Sequence, residues 1–428
     1  MGTGRAIHGR PADSRQCATV SVVERQSADG GAALDCRIGL LMSNVFVIYL
    51  GYGAALPVLP DFVLRLLNEP SVVAWHTGSL TAMFMASLFL LAPVWGRVSD
   101  RIGRRPVLLM GLAGCVLSMV AFAGAPNLAV AYAARLGGGV FAAAVAPAAV
   151  AYVVDISASA DRPRRVAWMG ASMTGGFLVG PVIGGWLSGL QGGAVVSLIP
   201  TGPAGLPFIA TALIGGVIWV LTWFGLADVA AFQARHGGGI SAPQPSIGRY
   251  LFYALLATVA LGGFEVGFTL LAIQELGLSA LGVGNLFVVC SLSMLIVQVA
   301  VFARLRARAG FRTLGAGGFA AMLLGLIGTN LSTDAVGLVL AVGLVGLGSG
   351  LLIPLFAAEV AAVGGSSQGG GQGRLIAASS LGQSIGSAGV GWIFGLSVSF
   401  PFWVLAGVSL LGLAAVLAKS HAVPAGAG

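Results

Sequence analysis

The chain has 428 residues, of which 57% are hydrophobic and only 8% charged, and its mean hydropathy is +0.95. That composition leaves too little polar surface for a soluble domain and points to an all-α integral membrane protein. The net charge of +8 reads as contact with anionic lipid headgroups and not with nucleic acid.

In chain order, residues 1–36 are polar, with Arg, Asp and Ser interleaved, and lack the apolar core and cleavage site of a signal peptide. They are expected to form a disordered cytoplasmic tail. Apolar runs long enough to cross hydrocarbon at about 1.5 Å per residue then follow near 38–60, 76–96, 106–124, 128–153, 166–190 and 205–227. A polar stretch at 228–249, with three consecutive glycines and a Pro-Gln-Pro, reads as a cytoplasmic linker. Six more runs lie near 250–272, 280–303, 313–330, 333–357, 375–396 and 399–418, before a short cytoplasmic tail at 419–428. The expected architecture is twelve transmembrane helices in two six-helix bundles, 37–227 and 250–418.

Orientation follows from the basic residues. With a cytoplasmic N-terminus, the arginines at 5–37, 97–105, 162–165, 235, 249, 304–312 and 374 and Lys419 all fall inside. Arg65 alone falls outside and Arg135 within a span, a strong positive-inside pattern. Both termini are therefore expected to be cytoplasmic.

Residues 96–106, between spans 2 and 3, read Gly-Arg-Val-Ser-Asp-Arg-Ile-Gly-Arg-Arg-Pro. Asp100 suits the positive N-terminal end of a neighbouring helix, and the arginines suit carboxylates, helix C-termini or lipid phosphate. The same cluster would also serve as a topology anchor alone. Span 4 carries Arg135, a buried charge that calls for an aqueous cavity and a partner, or for snorkelling to the headgroups. Span 5 carries Gly176, Gly180, Pro181, Gly184 and Gly185: the glycines at i, i+4 and i+8 line one face for close helix contact, and the proline favours a bend. Glu265, on span 7, is the only carboxylate well inside a span, at an estimated depth similar to that of Arg135. The two are expected to interact across a central cavity, either as a proton-coupling pair or as a structural ion pair. Tyr49, Tyr52, Phe268 and, more weakly, Gln383 are the further candidates for the lining of that cavity.

An internal repeat supports the division. Gly310 matches Gly103 at an offset of 207, although Ala307 stands where Asp100 should be, and Arg374 parallels Arg165 at an offset of 209. Two halves related by an axis along the membrane normal are implied.

The loop at 96–105 resembles the signature between helices 2 and 3 of the major facilitator superfamily, with Gly96, Asp100, Arg101, Gly103, Arg104 and Arg105 at its defining positions. Span 5 resembles the antiporter motif of that superfamily's drug exporters, and Arg135 with its following glycines resembles the Arg-x-x-Gln-Gly motif, with Gly138 at the Gln position. Over about residues 45–190 the chain looks most like bacterial tetracycline/proton antiporters: Gly51-Tyr52-Gly53, Leu56 to Pro60, His76, Leu91-Ala92-Pro93 and Tyr152 to Asp155 carry that likeness. It departs at Ile48 and Ser118, where those antiporters carry acids. The resemblance implies a loop that latches the two halves when the protein faces outward, with Asp100 near the start of span 11.

The function expected is a proton-driven exporter of small amphipathic drugs or metabolites, acting as a monomer by alternating access in a bacterial cytoplasmic membrane, with lipid, protons and cargo as its partners. A dedicated metabolite or siderophore exporter, a proton-coupled importer and a non-transporting membrane sensor share the same motifs. Four cysteines without metal-ligand spacing, and a Gly-rich run at 369–373 without the Gly-Lys-Ser/Thr ending of a phosphate loop, give no reason to expect a metal, a cofactor or enzymatic activity.

Overall fold

The computed structural model describes residues 14–158, 161–190, 201–227, 247–332, 334–363 and 368–418, with the side chains of 14–33, 163 and 368–370 left aside. The linker at 228–246 and the tails at 1–13 and 419–428 lie outside the described residues. Helices make up the first half as α1 (Ser14–Ala55), α2 (Leu59–Leu67), α3 (Val73–Ile102), α4 (Arg104–Ala123), α5 (Leu128–Ile156), α6 (Arg162–Ser188) and α7 (Leu206–Gly225). The second half comprises α8 (Ile247–Gln274), α9 (Ala280–Ile296), α10 (Phe302–Arg308), α11 (Phe311–Leu331), α12 (Ala335–Val363), α13 (Gln368–Phe394) and α14 (Phe400–Leu417). A π-helical turn, Val297–Val301, joins α9 to α10 into one long element. Leaving out short α2, and counting α9 and α10 as one, twelve long helices remain among the described residues.

Eleven of these elements are long and apolar enough to cross a membrane. The twelfth, α13, is as long as its neighbours but rich in Gly, Ser and Gln. It packs mainly against α8 and α3, so its polar positions meet protein and need not dissolve in lipid. Conversely, the exposed large side chains of the other helices, such as Leu213, Phe224, Leu340 and Leu410, are apolar, as a hydrocarbon solvent requires.

Local chemistry marks several helix starts. The Asn127 side chain accepts a hydrogen bond from the Val130 amide at 3.0 Å to cap α5, and Ser279 caps α9 through the Gly282 amide at 3.2 Å. The repeat is visible in the backbone: Pro147 lies inside α5 and Pro354 inside α12, at the same offset of 207 as Gly103 and Gly310. Those two glycines precede α4 and α11, yet only Gly103 has a positive φ, 99°.

One difference from the sequence expectation lies at the N-terminus. The helix of span 1 runs back to Ser14 instead of beginning near residue 38, since no proline interrupts the chain from Ser14 onward. At its other end the helix stops at Ala55, just before Pro57, and the chain bends into α2.

Most of the helix contact across the seam between the halves comes from two pairs, α3 with α13 and α6 with α9. At the end of the bundle opposite the arginine loop, here the far end, contact is backbone to backbone. A Cβ on Gly78 would lie 2.5 Å from the Ser387 carbonyl oxygen and 2.6 Å from the Gly391 Cα, and one on Gly185 would lie 2.4 Å from the Ala280 carbonyl oxygen. Toward the arginine loop, the basic end, the halves loosen: buried residues on α3 run from Val73 to Ser87, and beyond that only Ser99 is buried. The arrangement is closed at the far end and parted at the basic end.

Candidate functional site

Three polar side chains meet at the seam beneath the far-end closure. Tyr52, near the end of α1, donates its hydroxyl to Glu265 Oε2 at 2.6 Å. Gln383, on α13, donates its amide to both Glu265 oxygens at 3.1 Å, and also approaches the Tyr52 hydroxyl at 3.3 Å. Tyr52 belongs to the first half and the other two to the second, so the cluster joins the halves. Glu265 is 1% exposed; a carboxylate so deep is costly unless hydrogen-bonded, and each bond to a charged group returns about 1.5 to 3 kcal/mol.

The cluster is held from several sides. Phe84 and Phe177 stack on the Tyr52 ring at centroid distances of 5.7 and 6.1 Å. Gly262 lets α13 approach α8, since a Cβ there would lie 2.6 Å from the Gln383 carbonyl oxygen. Chemically, the arrangement suits a group that changes charge. An ionised Glu265 accepts from both partners, whereas a protonated one must donate, and rotating the Gln383 amide would present an acceptor in place of a donor.

Arg135 stands apart from Glu265, contrary to the expected pairing. It is 3% exposed, and its guanidinium lies 5.3 Å from the ring centroids of both Phe84 and Phe122. The ion pairs among the described residues lie elsewhere. Similar depth on two helices does not fix the side of each helix that a side chain occupies, and here α5 turns Arg135 into the first half. Phe268 likewise departs from its expected place. It is fully buried, stacked on Phe264 at 5.3 Å and edge-on to Phe287 at 5.5 Å, so it belongs to the packing of the second half. Tyr49, one turn before Tyr52, is half-buried against the core.

The glycines of α6 face α1. A Cβ on Gly176, Gly180 or Gly184 would lie 2.3, 2.6 or 2.2 Å from the carbonyl oxygens of Phe46, Leu50 and Ala54. Gly185 and Pro181 instead meet α9, where a Cβ on Gly284 would lie 2.5 Å from the Pro181 carbonyl oxygen. One short segment thus packs within its half and across the seam. Farther along the same helix pair, Thr174 donates to the Gln298 side-chain oxygen at 3.0 Å. Gln298 sits in the π-helical turn, a feature that recurs at functional sites. Sequence reasoning missed this contact, although a Gln inside an apolar run is itself a signal.

At the basic end, Asp100 pairs with Arg104 at 2.5 Å, and Arg104 reaches Asp155 at 3.3 Å. All three belong to the first half, and the Asp100 side chain is 66% exposed, away from the expected position beside the start of span 11. Arg105 donates to the Trp223 carbonyl oxygen at 2.6 Å, while Arg97 and Arg101 are exposed. Gly103 needs to be glycine for its φ, but around Gly96 there is open space. In the second half, Arg306 pairs with Glu359, which also accepts from Tyr250 at 3.1 Å. Each half thus ties its own loop to the carboxylate near the end of its fourth long helix. Among the described residues no group of His, Cys, Asp and Glu could hold a metal.

Comparisons with known proteins agree with this architecture. The family model described as Major Facilitator Superfamily matches residues 41–362. Multidrug resistance protein 2 of Bacillus subtilis (strain 168) is 27% identical over 389 residues, covering 87% of this chain and 92% of that protein. The class G tetracycline resistance protein of Vibrio anguillarum is 36% identical over 189 residues, 44% of each chain. Among solved structures, a D-xylose-proton symporter matches with a TM-score of 0.69 over 89% of this chain and 97% of that one, at 15% identity.

Proposed function

The chain belongs to the major facilitator superfamily, a multi-pass membrane transporter and not an enzyme, and from that premise we propose that it exports small amphipathic molecules in exchange for protons. The basic end then faces the cytoplasm of a bacterial cell across its cytoplasmic membrane, and the arrangement described is the inward-facing one. Relatives named for multidrug and tetracycline resistance support export over import.

The observation that carries the reading is the bond from Tyr52 to Glu265 across the seam. An exchanger must forbid one step: the empty, deprotonated carrier must not turn outward, or protons would leak inward without cargo. An ionised Glu265 that holds Tyr52, and through it the far end of the seam, provides that restraint. Cargo arriving from the basic end relieves it by competing for the same donors; a carboxylate that took up its proton while the far end was open carries no charge to hold Tyr52, so the protonated carrier is free to turn. Differential contact with the two states is what coupling requires. Aromatic walls around the cluster, with few charges, suit lipophilic cargo better than sugars, which need many hydrogen-bond partners.

The test is Glu265→Gln, assayed in everted vesicles or proteoliposomes with an imposed pH gradient. The variant mimics the protonated state, so it should bind cargo and exchange it down its own gradient but lose acceleration by the pH gradient. Unchanged gradient-driven export would remove Glu265 from the coupling step.

A further inference from the structure

The Tyr52, Glu265 and Gln383 cluster accounts for the buried charge at the seam; Arg135, buried inside the first half, is another, and nothing so far uses it. Both rings beside its guanidinium, Phe84 and Phe122, lie within cation–π distance. Such contacts stabilise the charge without supplying hydrogen-bond acceptors of the ordinary kind, so the N–H groups must find acceptors of their own. They do not find them: Nε and Nη2 are buried without a hydrogen-bond partner. A buried guanidinium always carries its charge, and with no carboxylate beside it the cost of desolvation stays uncompensated by any ion pair.

The space next to it is not filled by protein. Arg135 lines a cavity of about 10 Å³ together with Phe84, Ser118, Phe122, Gly138 and Phe208, about enough for a single water-sized guest. Gly138 keeps this space open, since a Cβ there would already touch Phe84 and Ser118 at 3.5 to 3.6 Å. The walls are otherwise apolar, so the features that recognise a guest are one fixed positive charge, its free N–H groups and one hydroxyl, that of Ser118.

We propose that the Arg135 cavity is an anion site, taking one small anion or one oxygen of a carboxylate. The inference rests on the exporter reading only for the source of that group: on it, the carboxylate is the acidic end of an aromatic cargo. A halide from solution presents the same chemistry, and the test separates the two.

The experiment uses the full chain purified in detergent, in a chloride-free methanesulfonate buffer. Equilibrium binding of 2-naphthoate is compared with that of its uncharged amide, and the thermal midpoint is followed as chloride is added. Wild type should bind the carboxylate about tenfold more tightly than the amide, the scale of one charge-assisted hydrogen-bond pair, and chloride should compete. Arg135→Gln should abolish the preference. Should that variant fold poorly, Ser118→Asp places a carboxylate of the protein in the same cavity, where the ion pair with Arg135 satisfies the free donors; it should fold and lose both the carboxylate preference and the response to chloride. A chloride response lost in both variants, without any carboxylate preference, would assign the site to the solution ion. Equal binding of acid and amide with no chloride response in wild type, or the same responses in all three proteins, would overturn the proposal. Anion binding that survives in Glu265→Gln while gradient coupling is lost, or the converse, tells failure of this site from failure of the coupling reading.

Discussion

Where α3 meets α13 at the far end, a Cβ on Gly391 would lie 2.7 Å from the Gly78 Cα. At the basic end of the same α3, the Asp100 carboxylate is two-thirds exposed and its partner is Arg104, four residues on. The far end is a steric closure built from missing side chains, and it is specific because two backbones fit only in one register. The basic end is an electrostatic surface whose charges are satisfied inside each half, ready to exchange partners at little cost. On the proposed exporter reading each end has to open and close, and the two gates are then built from different physics.

The sharpest way to break the comparison is Gly78→Leu. A branched side chain cannot fit against the Ser387 carbonyl oxygen, so the far end should stay open and net transport should fall to background. Cysteine probes near Ala74 should then label from the outside; transport with wild-type labelling would show the backbone closure to be dispensable. Gly180→Leu comes next. It forces α6 from α1, where the Leu50 carbonyl oxygen leaves no room for a Cβ, so coupled export should be lost or turned into leak while twelve-span topology persists. Normal transport by that variant would sink the packing argument for α6.

Asp100→Asn tests the other gate. The protein should insert and express near wild-type levels, because in the inward-facing arrangement the lost interaction is an exposed pair worth at most about 1 kcal/mol. Transport should nevertheless fall severely, since the charge is proposed to act when the basic end closes on a helix terminus; wild-type transport would leave the loop a topology anchor. The smallest effect is expected from Tyr52→Phe, which keeps the ring stacked between Phe84 and Phe177 and removes one hydrogen bond to a carboxylate. Substrate-independent proton leak should rise about tenfold or more, from a bond of about 1.5 to 3 kcal/mol, with cargo affinity less affected. A leak rate equal to wild type would detach the seam bond from the forbidden step.

What was legible in the sequence divides along a geometric line. Apolar run length located the eleven helices that are long and apolar enough to cross hydrocarbon, because crossing fixes a number of residues; the run at 375–396 fell on α13, which is less apolar than that. Position along the helix was also readable: Glu265 lies nine residues before the end of α8, close to its place in the apolar run at 250–272. Direction around the helix axis was not. Arg135 and Glu265 point to different neighbours, and Phe268, named among the lining candidates, turns into the second-half core. Gln383, the weakest of the proposed lining residues, proves to be a direct partner of Glu265, because α13 has to be polar where it faces protein. The contact between Thr174 and Gln298 depends on a π-helical turn, whose register shift no apolar pattern announces. Gly96 had a motif, yet the structure leaves open space around it.

The polar character of α13 bears on how the protein is assembled. Alone of the twelve long helices, it is too weakly hydrophobic to count as a membrane span by its own composition. A segment rich in glycine and hydroxyls gains little from lipid, so its residence in the bilayer depends on α8 and α3 being there first, the latter made more than two hundred residues earlier. Insertion of α13 is therefore an act of tertiary recognition: the first half must already offer the Ala82 carbonyl, which accepts from Ser384 at 2.9 Å, when α13 leaves the insertion machinery. Loss of that polar contact should then surface in the cell as a protein that fails quality control before it fails at transport.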